Sequence, residues 1–269
     1  MRLPRRTASG GLPDEARKEL LRLLNLNYLR LTNMTTSVGK HDMPVLHCAP
    51  RVLPDYIALY GNPGEYHKTA LTCVCFHQYD AEFDGQNGLW AAIYHNNVKQ
   101  LEQFKRRFEG VRFFIMPDYS QVGDVCDLEN EHRLLRARIV SIWLTVEVGA
   151  IVIPLITFPT LESIDFALDG LGNCEVVAFS TKGSMDDPIE IDILSESVRY
   201  TVDRLEHLRA IVVYDVCMDD EKAKEVFSYA TEHGVEVVIP PNKLKARNAA
   251  LRLRRMAKRG GEADGQDER

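Results

Sequence analysis

Two carboxylates stand where the chain leaves a buried run: Asp118 follows Pro117 in MPDYS, and Asp215 comes near the end of AIVVYDV. Proline has no backbone donor and a fixed φ, so the carboxylate after it leaves the run in a set direction. Two such groups above one sheet could act as general acid and base, or as hard oxygen ligands for a divalent cation. The residues after the other apolar runs are polar too: Ser120, Thr157, Thr160, Ser180, Thr181, Lys182, Asn242 and Lys243, with His77 and Asp80 closing an upstream run. Asp, Ser and Thr also cap helices and form turns, so each of these has a structural explanation when taken alone.

FSTKGS (179–184) sets hydroxyls, Lys182 and Gly183 in a turn whose free N–H groups suit an anion such as phosphate. The chain has no full Walker pattern and no GxGxxG, so no nucleotide cofactor is assigned and the cofactor stays open. Arg133 and Arg136 lie three apart on a helical stretch with Asp127, Glu129 and Glu131. They either form a solvated ion-pair network or send one guanidinium to the rim to hold Asp118 or an anionic ligand. The catalytic candidates are therefore Asp118 and Asp215, and the ligand-binding candidates are Ser120, Arg136, Thr157, Ser180, Thr181, Lys182 and Gly183.

Cys73, Cys75 and His77 alternate along one run and share a face, with His47 and Cys48 on a neighbouring segment. Ligands along one strand rarely complete a tetrahedron, so these are read as buried thiols and a rim histidine, and no metal site is assigned. Cys126 and Cys217 have no readable histidine partner for nucleophilic chemistry.

The elements that must position these residues follow from the apolar pattern. Val111–Met116, Ala150–Phe158, Glu175–Ser180, Ala210–Val216 and Val235–Pro240 are β-branched runs too short for independent helices, separated by helix-length segments. That is the signature of strands buried on both faces of a parallel sheet. Further strands are expected near Met43–Cys48 and over Leu71–Tyr79, giving about seven. Helices are expected over Val98–Phe108 with onset near Asn97, over 128–148 ended by Gly149, and over 161–168, 189–207 and 220–233. Residues 35–64 read as irregular around MPVLHC because of Pro44, Pro50, Pro54 and Pro63. The fold class is α/β, either a (β/α) barrel or partial barrel, or an open doubly wound parallel sheet. In both, ligands bind at the carboxyl ends of the strands.

The organisation expected is an N-terminal helix and extension over 1–40, one α/β domain over 41–242, a basic helix over 243–259 and a disordered tail over 260–269. The N-terminal helix opens at Pro13, with Leu20, Leu21, Leu24 and Tyr28 at helical spacing. Residues 243–259 hold eight Lys or Arg and no acid, so the rest of the chain is more acidic than the overall charge of −6. An acidic body is a poor nucleic-acid surface, which leaves nucleic acid or a protein partner to the basic helix. No run reaches the roughly 18 apolar residues of a membrane helix. The basic start lacks the apolar core of a secretory signal, and six scattered cysteines without a framework spacing suit a reducing compartment, so a cytoplasmic protein is expected.

Residues from about 70 to 240 resemble a family of bacterial, archaeal and phage proteins known as domain of unknown function 4417. The matching features are PDYS at 117–120, the arginine-bearing helix at 133–138, Gly149 followed by Val152, Ile153 and Pro154, then Phe166 with Asp169 and Gly170, and the turn at 180–183. The family commonly has Phe where Tyr119 stands and Trp where this chain has Phe158. The resemblance implies a shared α/β fold and association with phages and other mobile elements, and brings no activity with it. Two readings follow. One is an enzyme-like protein that binds a small anionic or nucleotide-like ligand at its strand ends. The other is a non-catalytic phage or plasmid accessory protein that works through its basic C-terminal helix.

Overall fold

Seven short parallel strands carry the fold in the computed structural model, which describes residues 27–251 apart from 159, 218 and 219. Strands β3 (Tyr56–Leu59), β4 (Thr72–Cys75), β5 (Phe113–Ile115) and β6 (Ile151–Ile153) form one parallel sheet in that order. Strands β7 (Val176–Ser180), β8 (Ala210–Tyr214) and β9 (Glu236–Val238) form a second. The ladders do not close into a continuous barrel. A single parallel bridge links the two sheets at each seam, Leu155 to Ala178 on one side and Ile57 to Asn242 on the other. Cys73–Cys75, Phe113–Ile115, Val176–Phe179 and Ala210–Tyr214 are fully buried, as strands covered on both faces must be.

One of the expected strands differs, and one strand lies where none is expected. MPVLHC contributes only β2 (Met43–Pro44), paired antiparallel with β1 (Ser37–Val38) in a hairpin turned by Gly39 and Asp42, both at positive φ. Beyond Pro44 this segment spends its backbone on other partners, Leu46 N–H donating to Gly170 O and Cys48 O accepting from Glu175 and Val176. The seventh core strand is β3, inside the stretch that reads as irregular. Four residues between Pro54 and Gly61 carry too little pattern to be seen alone, and β3 exists through its pairing with β4.

The helices fall where the pattern puts them, with local interruptions. Leu89–Tyr94 is a separate short helix, broken by Asn96 at φ 49 before Asn97 caps α4 (Val98–Arg107) by accepting from Gln100 N–H at 3.2 Å. Helix α5 (Asp127–Trp143) continues as a π-turn through Val148 and stops at Gly149, φ 76. Helix α7 (Pro188–Arg204) is capped by Asp187, and 220–233 splits into Asp220–Val226 and Ser228–Glu232. A further helix starts at residue 243 and runs to 251. The expected N-terminal helix before residue 27, the basic residues 252–259 and the acidic end 260–269 lie outside the described residues. Among the described residues, no helix is long and apolar enough to cross a membrane.

Two of the motifs singled out in the sequence turn out to hold each other. Arg138, fully buried on α5, donates from Nη2 to Ala167 O at 2.9 Å and to Asp169 O at 3.2 Å. It thereby pins the Asp169–Gly170 turn. Gly170 is at φ 79, and a Cβ there would come 2.7 Å from Pro44 O, so only glycine lets this turn meet the β1–β2 hairpin.

Candidate functional site

Beyond the end of β4 the chain carries His77, and beyond β5 it carries Asp118. Because β4 and β5 are parallel neighbours, both residues leave at the same edge, and His77 Nδ1 lies 2.9 Å from Asp118 Oδ2. A carboxylate accepts, so Nδ1 is the donor of this bond. The His77 side chain is completely buried, and Nε2 is buried without a hydrogen-bond partner. The ring stacks on Tyr214, from the end of β8 in the other sheet, with centroids 4.7 Å apart and planes at 13°. The Tyr214 hydroxyl is likewise buried without a partner, and burial raises its pKa. Lys182 donates from Nζ to His77 O at 2.8 Å, which ties the β7 turn to the same residue.

Asp118 is a third exposed and faces a cleft of about 300 Å³. Ser120, Gln121, Thr157, Phe158, Ser180, Ser184 and Glu190 also line it, over a floor that includes Ile156, Phe179 and Leu194. Its walls are the strand ends of β5, β6 and β7 and the first turns of α7. Four of the expected residues therefore meet in one place: Asp118, Ser120, Thr157 and Ser180.

The remaining candidates sit elsewhere. Asp215 is fully buried and its oxygens are taken. Oδ1 accepts from Thr181 Oγ1 at 2.6 Å and from Cys217 N–H at 2.9 Å, and Oδ2 meets Lys245 Nζ at 2.5 Å. Asn242 Nδ2 donates to Asp215 O at 2.8 Å. This cluster fastens the helix that starts at 243 to the end of β8, and it accounts for Thr181 as well. Lys182, besides reaching His77 O, donates its backbone N–H to Ser180 Oγ at 3.1 Å, while Gly183 supplies the φ 89 of that turn. Arg136 pairs with Asp84 and lies over the ring of Tyr119 at 4.4 Å. Arg133 takes the ion-pair fate, pairing with Glu129 at 2.9 Å, and also donates to the backbone carbonyl of Ser120 rather than to Asp118. These arginines hold the loop that carries Asp118.

The cysteines are all free. Burial pushes the Cys75 thiol up to about 12 and the Cys174 thiol up to about 11, and raises Cys48 and Cys73 as well, so the strand thiols are poor nucleophiles. Among the described residues, no group of three His, Cys, Asp or Glu is placed to hold a metal ion.

The sequence model of the family described as Domain of unknown function (DUF4417) matches residues 35–230, more than half of the chain. The chain belongs to this family. No curated protein matches it. The DUF4417 match contains His77, Asp118, Tyr214, Asp215 and every described residue of the cleft, and stops before Asn242 and Lys245. Within the matched span, PDYS supplies two cleft residues, Asp118 and Ser120, while Arg138 and the Asp169–Gly170 pair form the clamp described above.

Sequence reasoning placed His77 at the rim without giving it a role, and it did not single out Tyr214, Gln121, Glu190 or Lys245. For His77 a signal was present: it stands two residues past the last strand position of β4, as Asp118 stands three past β5. Tyr214 carried none, since a tyrosine ending an apolar run reads as core.

Proposed function

We propose that this DUF4417 protein is an enzyme-like small-molecule binder whose reacting carboxylate is Asp118, oriented by His77, at the mouth of the cleft between the ends of β5, β6 and β7. The observation that carries this reading is the His77–Asp118 bond. One carboxylate oxygen is fixed by a buried imidazole, while the carboxylate itself faces a cleft at the low end of the roughly 300–1,000 Å³ typical of ligand sites. An oriented carboxylate of this kind can take a proton from a ligand held against Ser120, Thr157 and Ser180 and return it, with the His77 N–H stabilising its charged form. The orphaned His77 Nε2 supports the reading. A buried unpaired nitrogen costs roughly 1–3 kcal/mol and is retained more readily where the ring has a task.

The reading includes a barrel-like arrangement of the seven strands. Parallel bridges at both seams support it, as does the stacking of His77 on Tyr214, which brings together residues from two different sheets. Asp215 then serves as an anchor rather than as a second catalytic carboxylate, since its oxygens already have partners.

The test is mass spectrometry of small molecules released by denaturing the purified full chain, wild type against Asp118→Asn. A compound retained by the wild type and depleted in the variant is the expected result. Identical empty profiles from both proteins would count against the proposal.

A further inference from the structure

The charge around the cleft bears on what it accepts. The sequence suggests an anionic ligand because Lys182 and Gly183 follow β7, yet Lys182 spends its ammonium on His77 O. Among the described residues that line the cleft there is no lysine, arginine or histidine, and there are two carboxylates, Asp118 and Glu190. Asp118 gives Oδ2 to His77, and among the described residues that line the cleft no cationic side chain faces the pair of acids. Gln121 adds a third acceptor, an Oε1 that is buried and has no hydrogen-bond partner. A phosphate or carboxylate entering here would meet like charge in a confined space, which opposes binding by the same Coulomb energy that favours an opposite charge.

From this lining we infer that the guest of the cleft is a small organic cation, a protonated amine carrying an apolar portion. An ammonium offers three donors and a positive charge, and so suits a lining whose polar groups include two carboxylates and the amide oxygen of Gln121. Its apolar part has a place on Phe158, Phe179 and Ile156. Aromatic side chains beside the carboxylates add favourable contact for a cationic group through their negative ring faces. An amine also suits an oriented carboxylate, because Asp118 can hold the ammonium through a charge-assisted hydrogen bond. The inference rests on reading the cleft as the functional site.

The experiment is a titration of the full chain, carbon-labelled at isoleucine methyl groups, with benzylamine, benzyl alcohol and benzoate. These present one ring bearing a positive, a neutral or a negative group. Benzylamine is expected to shift the methyl resonances of Ile156 and Ile193 and to bind at least about tenfold tighter than the alcohol, the scale of one charge-assisted hydrogen bond. Benzoate is expected to move neither. Asp118→Asn should bring benzylamine to the level of the alcohol, and Glu190→Gln, at an exposed side chain, should weaken it several-fold. Alcohol or benzoate binding as tightly as the amine overturns the inference and leaves the cleft standing as a site. Methyls that none of the three moves also overturn it. If the wild type then still releases an Asp118-dependent compound, only the ligand class is wrong; if it releases none, the site reading falls with it.

Discussion

The ring of His77 is held on two sides at once: Nδ1 lies 2.9 Å from Asp118 Oδ2, and the ring plane stacks on Tyr214 at 4.7 Å. The first contact joins neighbouring strand ends, and the second joins the two sheets. A residue in that position either braces the fold or sets the direction of the Asp118 carboxylate, and substitution separates the two roles.

His77→Phe keeps a flat ring against Tyr214 while removing both nitrogens. It loses a hydrogen bond to a charged group, worth roughly 1.5–3 kcal/mol, and relieves an unpaired buried nitrogen, roughly 1–3 kcal/mol. Unfolding free energy measured in urea should therefore stay within about 1 kcal/mol of wild type, while retention of the cleft's ligand is lost. A drop of several kcal/mol would make His77 a brace and remove the main support for the functional reading.

Lys245→Met tests the anchor at Asp215. The carboxylate is fully buried and the lysine is 22% exposed, so removing the cation strands a charge that two hydrogen bonds only partly satisfy. Breaking a buried pair costs roughly 3–5 kcal/mol, and the partial exposure of Lys245 brings this case to or just below that range, about 2–3 kcal/mol. Chemical denaturation should show that loss, with increased hydrogen exchange in the helix that starts at residue 243. Unchanged stability would mean that this helix is not fastened through Asp215.

Glu147, in the π-turn that follows α5, offers a pH-dependent case. Its carboxylate meets Lys105 Nζ and Arg30 Nη2, each at 2.8 Å, and those two hydrogen bonds, that of Lys105 foremost, hold its pKa below the ordinary value. A carboxylate with a depressed folded pKa contributes stability that is present above its unfolded value and is lost as pH falls through the folded one. The pairs are partly exposed, so Glu147→Gln should cost under about 1 kcal/mol at pH 7. The gap to wild type should close as the solution is acidified below the ordinary carboxylate range, and urea titrations at the two pH values read it. A gap that widens on acidification would contradict the assignment.

What the sequence disclosed was the alternation of strand and helix and the edge at which polar residues gather. Both are local in origin, since β-branched runs and caps act within a few residues. It did not disclose β3, whose four residues are a strand only because β4 lies beside them. It could not divide the carboxylates either. Asp118 and Asp215 look alike in sequence, each following an apolar run, yet Lys245 and Thr181 close around one while the other is left facing a cleft. Those partners come from 30 and 34 residues away, a separation that no local pattern encodes. Lys182 misleads for the same reason, because its partner His77 is 105 residues distant.

The most direct measurement is a high-resolution crystal structure of the protein as purified, read in the cleft beside Asp118. The account predicts continuous non-protein density there, with a donor atom within hydrogen-bond reach of the Asp118 carboxylate and His77 still bonded to it through Nδ1. A cleft filled by Gln121, Phe158 or Glu190 folding inward, or an Asp118 turned away from His77 toward solvent, would contradict it.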